Sequence, residues 1–393
     1  MDFAACSQAL CAHGLGWPLF VIDRSRLDAN VERLGQLARG ARLRLVVKSL
    51  PCPALLERLM AALDTQRLML FHLPFLIDAI ERWPQADIML GKPLPAAAVG
   101  AFYQALATSA RPDAMCRPRW LIDTPDRARM HAAMARQHDI EAHVVIELDV
   151  GMHRGGIDAV GPLRTLLDAV AAEVGVLRLD GFMAYDAHAG KGAPWCSRRR
   201  ALAQANQHCL KLVSAAQASH PGLVPADPLI NGAGSPTCVY HTSDSPLTEL
   251  AVGSIVLKPA EFDLPQLSGF RPAAWLAAPV LKRLRGVRIP FLEALSRLSR
   301  RDTLFIYGGR WPARPCWPQG LRDSALYGPS FNQQFLSVPR RSSVAVDDFV
   351  FFRPLQSEQV MLWPGEVVLV DGEQVVSRWS TLGGGHLTDS GAA

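Results

Sequence analysis

The residues able to do chemistry stand where short apolar runs stop. Lys48 closes the run LRLVVK, which would carry its amine to the mouth of whatever the strands enclose, beside apolar neighbours. Desolvation lowers a lysine pKa and leaves a neutral amine able to attack a carbonyl and form a Schiff base. The plainer reading is a lysine snorkelling from a strand end to water. Two late segments, Asn231–Thr237 (NGAGSPT) and Val252–Ser254 (VGS), follow apolar runs and mix glycine with hydroxyls. Gly234 and Gly253 would let backbone N–H groups approach an anion, and Ser235 and Ser254 would add donors. The same composition also suits ordinary turns. Arg154, in GMHRGG, could stay charged beside a ring nitrogen or a carboxylate, or could be a surface arginine. Lys92, Asp149, His153, Tyr185 and His188 end or follow other apolar runs.

These positions imply a scaffold. Apolar runs recur at Pro18–Asp23, Leu43–Lys48, Leu68–Phe71, Ile88–Leu90, Trp120–Ile122, His143–Asp149, Leu179–Ala184, Leu229–Asn231 and Ser254–Leu257. Helical patterns lie between most of them, among them Leu27–Ala38, Pro53–Ala62, Asp126–Gln137, Pro162–Val174 and Ser197–Ala216. Short apolar strands alternating with helices predict parallel β/α structure. Eight or nine strands suit a closed (β/α)₈ TIM-type barrel, whose usual length is ~250 residues. A doubly wound sheet is the other possibility, but no G-x-G-x-x-G follows the first strand. Active sites of such barrels collect at the C-terminal ends of the strands, where the residues above stand. Beyond about residue 262 the texture turns to strands alone, at Leu281–Val287, Thr303–Tyr307, Asp348–Phe352, Glu366–Val370 and Gln374–Trp379. Asp371-Gly372 marks a hairpin between the last two. The expected organisation is a barrel over residues 15–262 and a β-rich C-terminal domain over 263–393, with residues 1–14 packed on the latter.

Composition bounds the function. At ~150 residues per domain, a chain of 393 residues predicts one large domain and one smaller. Hydrophobic residues make up 49% and charged residues 20%, a globular balance. The 41 basic and 36 acidic residues leave a net charge of +5. The densest basic clusters, Arg198–Arg200 and Arg340–Arg341, have no interleaved aromatics, so nucleic acid is not the expected partner. No apolar run reaches the ~18 residues of a membrane span, and the N-terminus lacks the features of a signal peptide. The eight cysteines show no CxxC and no zinc spacing, and read as reduced, mostly buried thiols of a cytoplasmic protein.

Taken together, the motifs resemble the fold type III pyridoxal-phosphate enzymes, the alanine-racemase-type barrels, and within them the branch of D-threonine aldolase and D-serine dehydratase. PLFVIDRSRLDANVERL is similar to that branch's opening strand and helix. RLVVKSLPCPALLERLM resembles the segment bearing the Schiff-base lysine, which implies Lys48. IELDVGMHRGGI implies Arg154 near the cofactor ring, and LDGFMAYDAHAG implies Tyr185 and His188. NGAGSPT and TELAVGSIVL resemble the phosphate-binding region, implying Gly234, Ser235, Gly253 and Ser254. YGGRWPA, YGPSFNQQ and DGEQVVSRW carry the resemblance through the C-terminal domain.

The resemblance implies a lyase acting on a small, D-configured β-hydroxy amino acid, by aldol cleavage or dehydration, in a homodimer. Metal-dependent members carry His-x-Cys or His-x-Asp after a proline in the C-terminal domain. Here Gln356 and Glu358 follow Pro354 at those places. Two oxygen ligands suit Mg²⁺ or Mn²⁺ better than zinc, and Glu358 could also act alone as a catalytic carboxylate. A racemase or epimerase is the alternative, with Tyr327 or Glu358 as second base opposite Lys48. A pyridoxal-phosphate carrier without turnover is the third reading.

Overall fold

The computed structural model describes residues 1–38, 41–241, 244–287, 291, 296, 299–324 and 327–382. The chain divides into two compact units. One comprises Met1–Arg33, Ser49–Glu57 and the chain from Ser254 on; the other comprises Leu34–Lys48 and Arg58–Gly253. The chain opens with helix α1 (Phe3–Ala12), strand β1 (Leu19–Asp23) and helix α2 (Arg24–Leu37).

The second unit holds the barrel. Its strands are β2 (Arg42–Val46), β3 (Arg67–Leu70), β4 (Asp87–Leu90), β5 (Arg119–Ile122), β6 (Ala142–Leu148), β7 (Leu177–Ala184), β8 (Leu229–Gly232) and β9 (Glu249–Val252). Each pairs in parallel with the next, and β9 closes on β2, with Leu43 opposite Leu250. The intervening helices are α3 (Pro53–Ala62), α4 (Leu73–Arg82), α5 (Ala96–Ala107), α6 (Pro125–Gln137), α7 (Val160–Ala171), α8 (Ala187–Lys191) and α9 (Arg198–Ser219). Local chemistry starts them. Pro125 occupies the first turn of α6, and the Thr124 hydroxyl accepts from the Arg127 N–H. Ser197 caps α9 in the same way, and Leu202, Ala205, Cys209, Leu212, Val213 and Ala216 form its buried stripe.

The barrel interior is layered by strand alternation. Met69, Met89, Leu121, Val145, Met183 and Ala251 form an apolar layer, with Val46, Phe71 and Leu229 packed against it. Near the start of the strands lies a charged cluster. Arg44, fully buried, bonds Glu249 through Nε at 2.5 Å and Nη2 at 3.0 Å, and reaches Asp87 at 2.9 Å. Arg119 bridges Asp87 and Asp180, and His143 lies 3.0 Å from Asp180. Burial alone would raise Asp87, but Arg44 and Arg119 outweigh it and hold its carboxyl below the usual range.

The first unit contains a nine-stranded sheet. To β1 it adds β10 (Ala274–Leu284), β11 (Arg301–Tyr307), β12 (Ala313–Trp317), β13 (Arg322–Asp323), β14 (Gln333–Pro339), β15 (Phe349–Pro354), β16 (Glu366–Asp371) and β17 (Gln374–Ser380); helix α10 (Glu358–Leu362) precedes β16. Its core joins Cys6 and Leu10 of α1 to Leu19, Val21, Trp275, Phe349, Phe351 and Val368. Asn30 of α2 is buried and donates to the carbonyls of Val256 and Arg271 at 2.8 and 2.7 Å. The hairpin at Asp371-Gly372 forms, with Gly372 at φ +60°.

Three expectations need correction. The run Pro18–Asp23 does not open the barrel. As β1 it lies between β10 and β16, with Phe20 opposite Leu276 on one side and Val367 on the other. A strand buried on both faces reads alike in either sheet. The barrel therefore starts at Arg42, not near residue 15. Its last strand is Glu249–Val252, and Ser254–Val256 is a 3₁₀ turn rather than a strand. In the nine-stranded sheet, the run expected at Leu281–Val287 is the end of a strand that starts at Ala274. Strands β12 to β14 were not anticipated, because proline and polar residues break their patterns. All eight cysteines are free; Cys6, Cys52, Cys209 and Cys238 are buried.

Candidate active site

Two residues beyond Val46, Met69, Val145 and Met183 of the apolar layer stand Lys48, Phe71, Glu147 and Tyr185. Lys48 lies in a 3₁₀ turn, Val47–Ser49, just past β2. Its Nζ sits 4.9 Å from the centroid of the Phe71 ring, a cation–π distance. Phe71 can lie there because residue 91 is glycine: a Cβ at Gly91 would fall 2.2 Å from the Phe71 Cζ. The amine thus has an aromatic neighbour that the sequence did not indicate, and Lys48 is exposed rather than desolvated as expected.

On the far side of the barrel Arg154 lies over Tyr185, with Cζ 4.7 Å from the ring centroid. A Cβ at Gly234 would approach the same ring, 3.1 Å from Cε2, so the loop after β8 touches Tyr185 closely. Glu147, near the end of β6, is buried. Burial pushes its carboxyl up, Arg154 pulls it back, and Asp123 and Asp149 push it further up. Burial also acts to raise Asp149, but N–H groups of His153 and Gly151, at 3.0 and 2.9 Å, hold it below the usual carboxylate range. The His153 ring reaches the same carboxylate at 3.2 Å. His188 packs against Gly151, where a Cβ would lie 2.9 Å from its Nε2. Its Nδ1 is buried without a hydrogen-bond partner.

The loop after β8 is shaped by its own backbone. Ala233 takes a left-handed φ of +61°. The N–H groups of Thr237 and Cys238 both donate to the Gly234 carbonyl, at 3.0 and 2.9 Å. Ser235 is buried in this loop, and Gly253 follows β9. Ser254, the next residue, opens a 3₁₀ turn in the other unit and is buried. Asn231 belongs elsewhere: its side chain donates to Glu249 at 2.9 Å, in the buried charged cluster.

The remaining predicted residues lie in the first unit. The Gln356 amide donates to the Glu261 carboxylate. Glu358 opens α10 and accepts from the Ser49 hydroxyl at 3.4 Å. Among the described residues no group of three or more His, Cys, Asp or Glu is arranged to hold a metal. Tyr327 is half exposed, with its ring 5.0 Å from that of Phe335. Sequence reasoning overlooked Phe71, Glu147, Asp186 and His241. The first two carried a signal, since they continue the inward alternation of β3 and β6. His241 carried none.

Residues 22–259 match the family model of the alanine racemase N-terminal domain. The chain belongs to this family. Several solved structures share its fold along nearly the whole chain. D-threonine aldolase from Filomicrobium marinum superposes with a TM-score of 0.73 at 18% identity, covering 93% of this chain and 96% of that one. D-threo-3-hydroxyaspartate dehydratase from Delftia sp. HT23 gives 0.69 at 16%, covering 93% and 97%. Alanine racemase from Clostridium difficile 630 gives 0.72 at 13%, covering 93% and 98%. At such identities the likeness establishes the fold, a fold type III barrel followed by a β-rich unit. No curated protein matches the chain. No helix among the described residues is long and apolar enough to cross a membrane.

Proposed function

We propose that this member of the alanine racemase family is a pyridoxal-phosphate enzyme, a lyase acting on a small D-configured β-hydroxy amino acid. The observation that carries the reading is the meeting of Arg154, Tyr185 and Gly234, three residues from separate motifs, at the strand ends of one barrel. The donor set fits the cofactor: one amine, one guanidinium, one phenol and glycine-serine loops suit a flat, anionic aldehyde. When bound, the cofactor supplies an electron sink for charge left at the substrate α-carbon. Lys48 would hold the cofactor's aldehyde with its amine, and that amine, once no longer so engaged, would take or return a proton at the substrate α-carbon. Arg154 keeps a fixed positive charge over the Tyr185 ring. Gly234, Ser235, Gly253 and Ser254 bind the phosphate through N–H and hydroxyl donors. His188 borders the substrate.

The aldolase and dehydratase among the solved structures support the lyase reading. Glu358 would accept the proton of the substrate hydroxyl. If a divalent ion assists, Mg²⁺ or Mn²⁺ suits Gln356 and Glu358 better than zinc. Racemisation is the second reading. It is favoured by the Gln356 amide, which already donates to Glu261 and offers neither imidazole nor thiolate to a metal. Tyr327 or Glu358 would then be the second base. Family resemblance further suggests a cytoplasmic homodimer.

Lys48→Ala should abolish both the visible absorption band of the lysine-linked cofactor and all turnover. Full activity in that variant would end the pyridoxal-phosphate reading. Incubation with D- and L-amino acids, measuring aldehyde, ammonia and chirality separately, separates aldolase, dehydratase and racemase.

A further inference from the structure

Asp186 directly follows Tyr185, yet its side chain turns away into a buried network. Its Oδ1 accepts from the Thr237 hydroxyl at 2.6 Å, and its Oδ2 lies 2.7 Å from His241 Nε2. His241 Nδ1 lies 2.7 Å from the Ser245 hydroxyl, which accepts from the Leu247 N–H at 3.2 Å. One donor order satisfies every group: Ser245 O–H donates to Nδ1, and Nε2–H and Thr237 O–H donate to the carboxylate. Asp186, Thr237 and His241 are all buried. Hydrogen bonds to a buried carboxylate are the stronger kind, and leaving one unmade is costly. The network joins the end of β7, the loop after β8 and the segment leading to β9.

Steric contact joins the same elements. A Cβ at Gly190 of α8 would lie 2.6 Å from the Cβ of Pro236. A Cβ at Gly234 would press on the Tyr185 ring. The YDAHAG and NGAGSPT segments therefore interlock at three points, one polar and two packed.

We propose that Asp186 and His241 are positioning residues that clamp the Gly234–Thr237 loop to the Tyr185 end of β7 and so set affinity for the cofactor's phosphate. The inference rests on the pyridoxal-phosphate reading. Tyr185 touches the ring while Gly234 and Ser235 face the phosphate, so the clamp fixes the distance between ring contact and phosphate contact. Loosening it should cost binding of the phosphate and leave ring binding alone.

The test compares pyridoxal 5'-phosphate with pyridoxal, which lacks the phosphate, by absorbance titration of the cofactor-stripped full chain. In Asp186→Asn, affinity for the phosphate ester should fall about tenfold, the loss of one charge-assisted hydrogen bond, with pyridoxal affinity unchanged. Thr237→Val removes a single donor at nearly constant shape and should show the same selective loss, should Asp186→Asn fail to fold. Gly190→Ala should shift the loop by packing alone and act in the same direction. Equal losses for both ligands, or no loss in folded Asp186→Asn and Thr237→Val, would overturn the clamp. A wild-type chain that binds the two ligands equally would instead overturn the phosphate site itself, and the clamp with it.

Discussion

His131 lies buried in α6 beside Trp120, with ring centroids 5.3 Å apart and its Nδ1 unpaired. Burial, and then the charge of Arg127, pushes its pKa down from 6.5 to about 3. A histidine whose folded pKa is depressed stabilises the fold fully above its unfolded value, and that stability is lost as pH falls toward the folded value. The urea midpoint of the wild type should therefore fall between about pH 6.5 and pH 4. His131→Leu should flatten that fall; an unchanged slope would place the titration elsewhere. At the same scale, the Gln356 amide already donates to Glu261, and nearby Glu358 would bring a metal one carboxylate, which accepts from the Ser49 hydroxyl. Elemental analysis of the purified protein should show no stoichiometric zinc, and one zinc per chain would refute this. Glu358→Gln should slow turnover if this carboxylate receives a substrate proton, and wild-type rates would remove it from the chemistry.

At the scale of elements, the barrel strands carry charge at one end and chemistry at the other. Arg44 on β2 is fully buried and serves Glu249 on β9 and Asp87 on β4. Removing one partner of such a cluster leaves its acids buried without compensation, at a cost of about 3–5 kcal/mol. Arg44→Met should lower the unfolding free energy by that amount in urea titration. A near-neutral result would mean that Arg67, 3.5 Å from Glu249, takes over. Most of the barrel strands were visible as apolar segments, but their ends were not: β2 stops at Val46, before Lys48, and Ser254–Val256 is a 3₁₀ turn. The charged cluster was not visible: Arg44, Asp87, Arg119, His143 and Glu249 are far apart in sequence, and only barrel closure makes them neighbours. Alternation tells which side a residue takes, not which charge it meets.

At the scale of the molecule, the chain passes twice from the sheet-bearing unit into the barrel-bearing unit and back, at Leu34–Lys48 and at Arg58–Gly253. Strand β1 (Leu19–Asp23) is flanked by β10 and β16, so this early segment is internal to a sheet whose other strands come from the C-terminal third, and α1 before it packs into the same core. Removal of residues 1–23 should abolish cooperative unfolding of that sheet and leave it open to limited proteolysis. A truncated chain as protease-resistant as the whole would contradict this topology. What the sequence alone determined is what repeats locally: alternating strands and helices, lysine, arginine and glycine motifs at strand ends, and membership in a barrel family with a β-rich second part. What only the tertiary structure decided is which partners distant segments choose. It placed β1 outside the barrel, left Lys48 exposed against Phe71, and brought His241 to Asp186. Periodicity is set by each segment's own backbone geometry, whereas pairing depends on contacts between segments hundreds of residues apart, and these leave no local period to read.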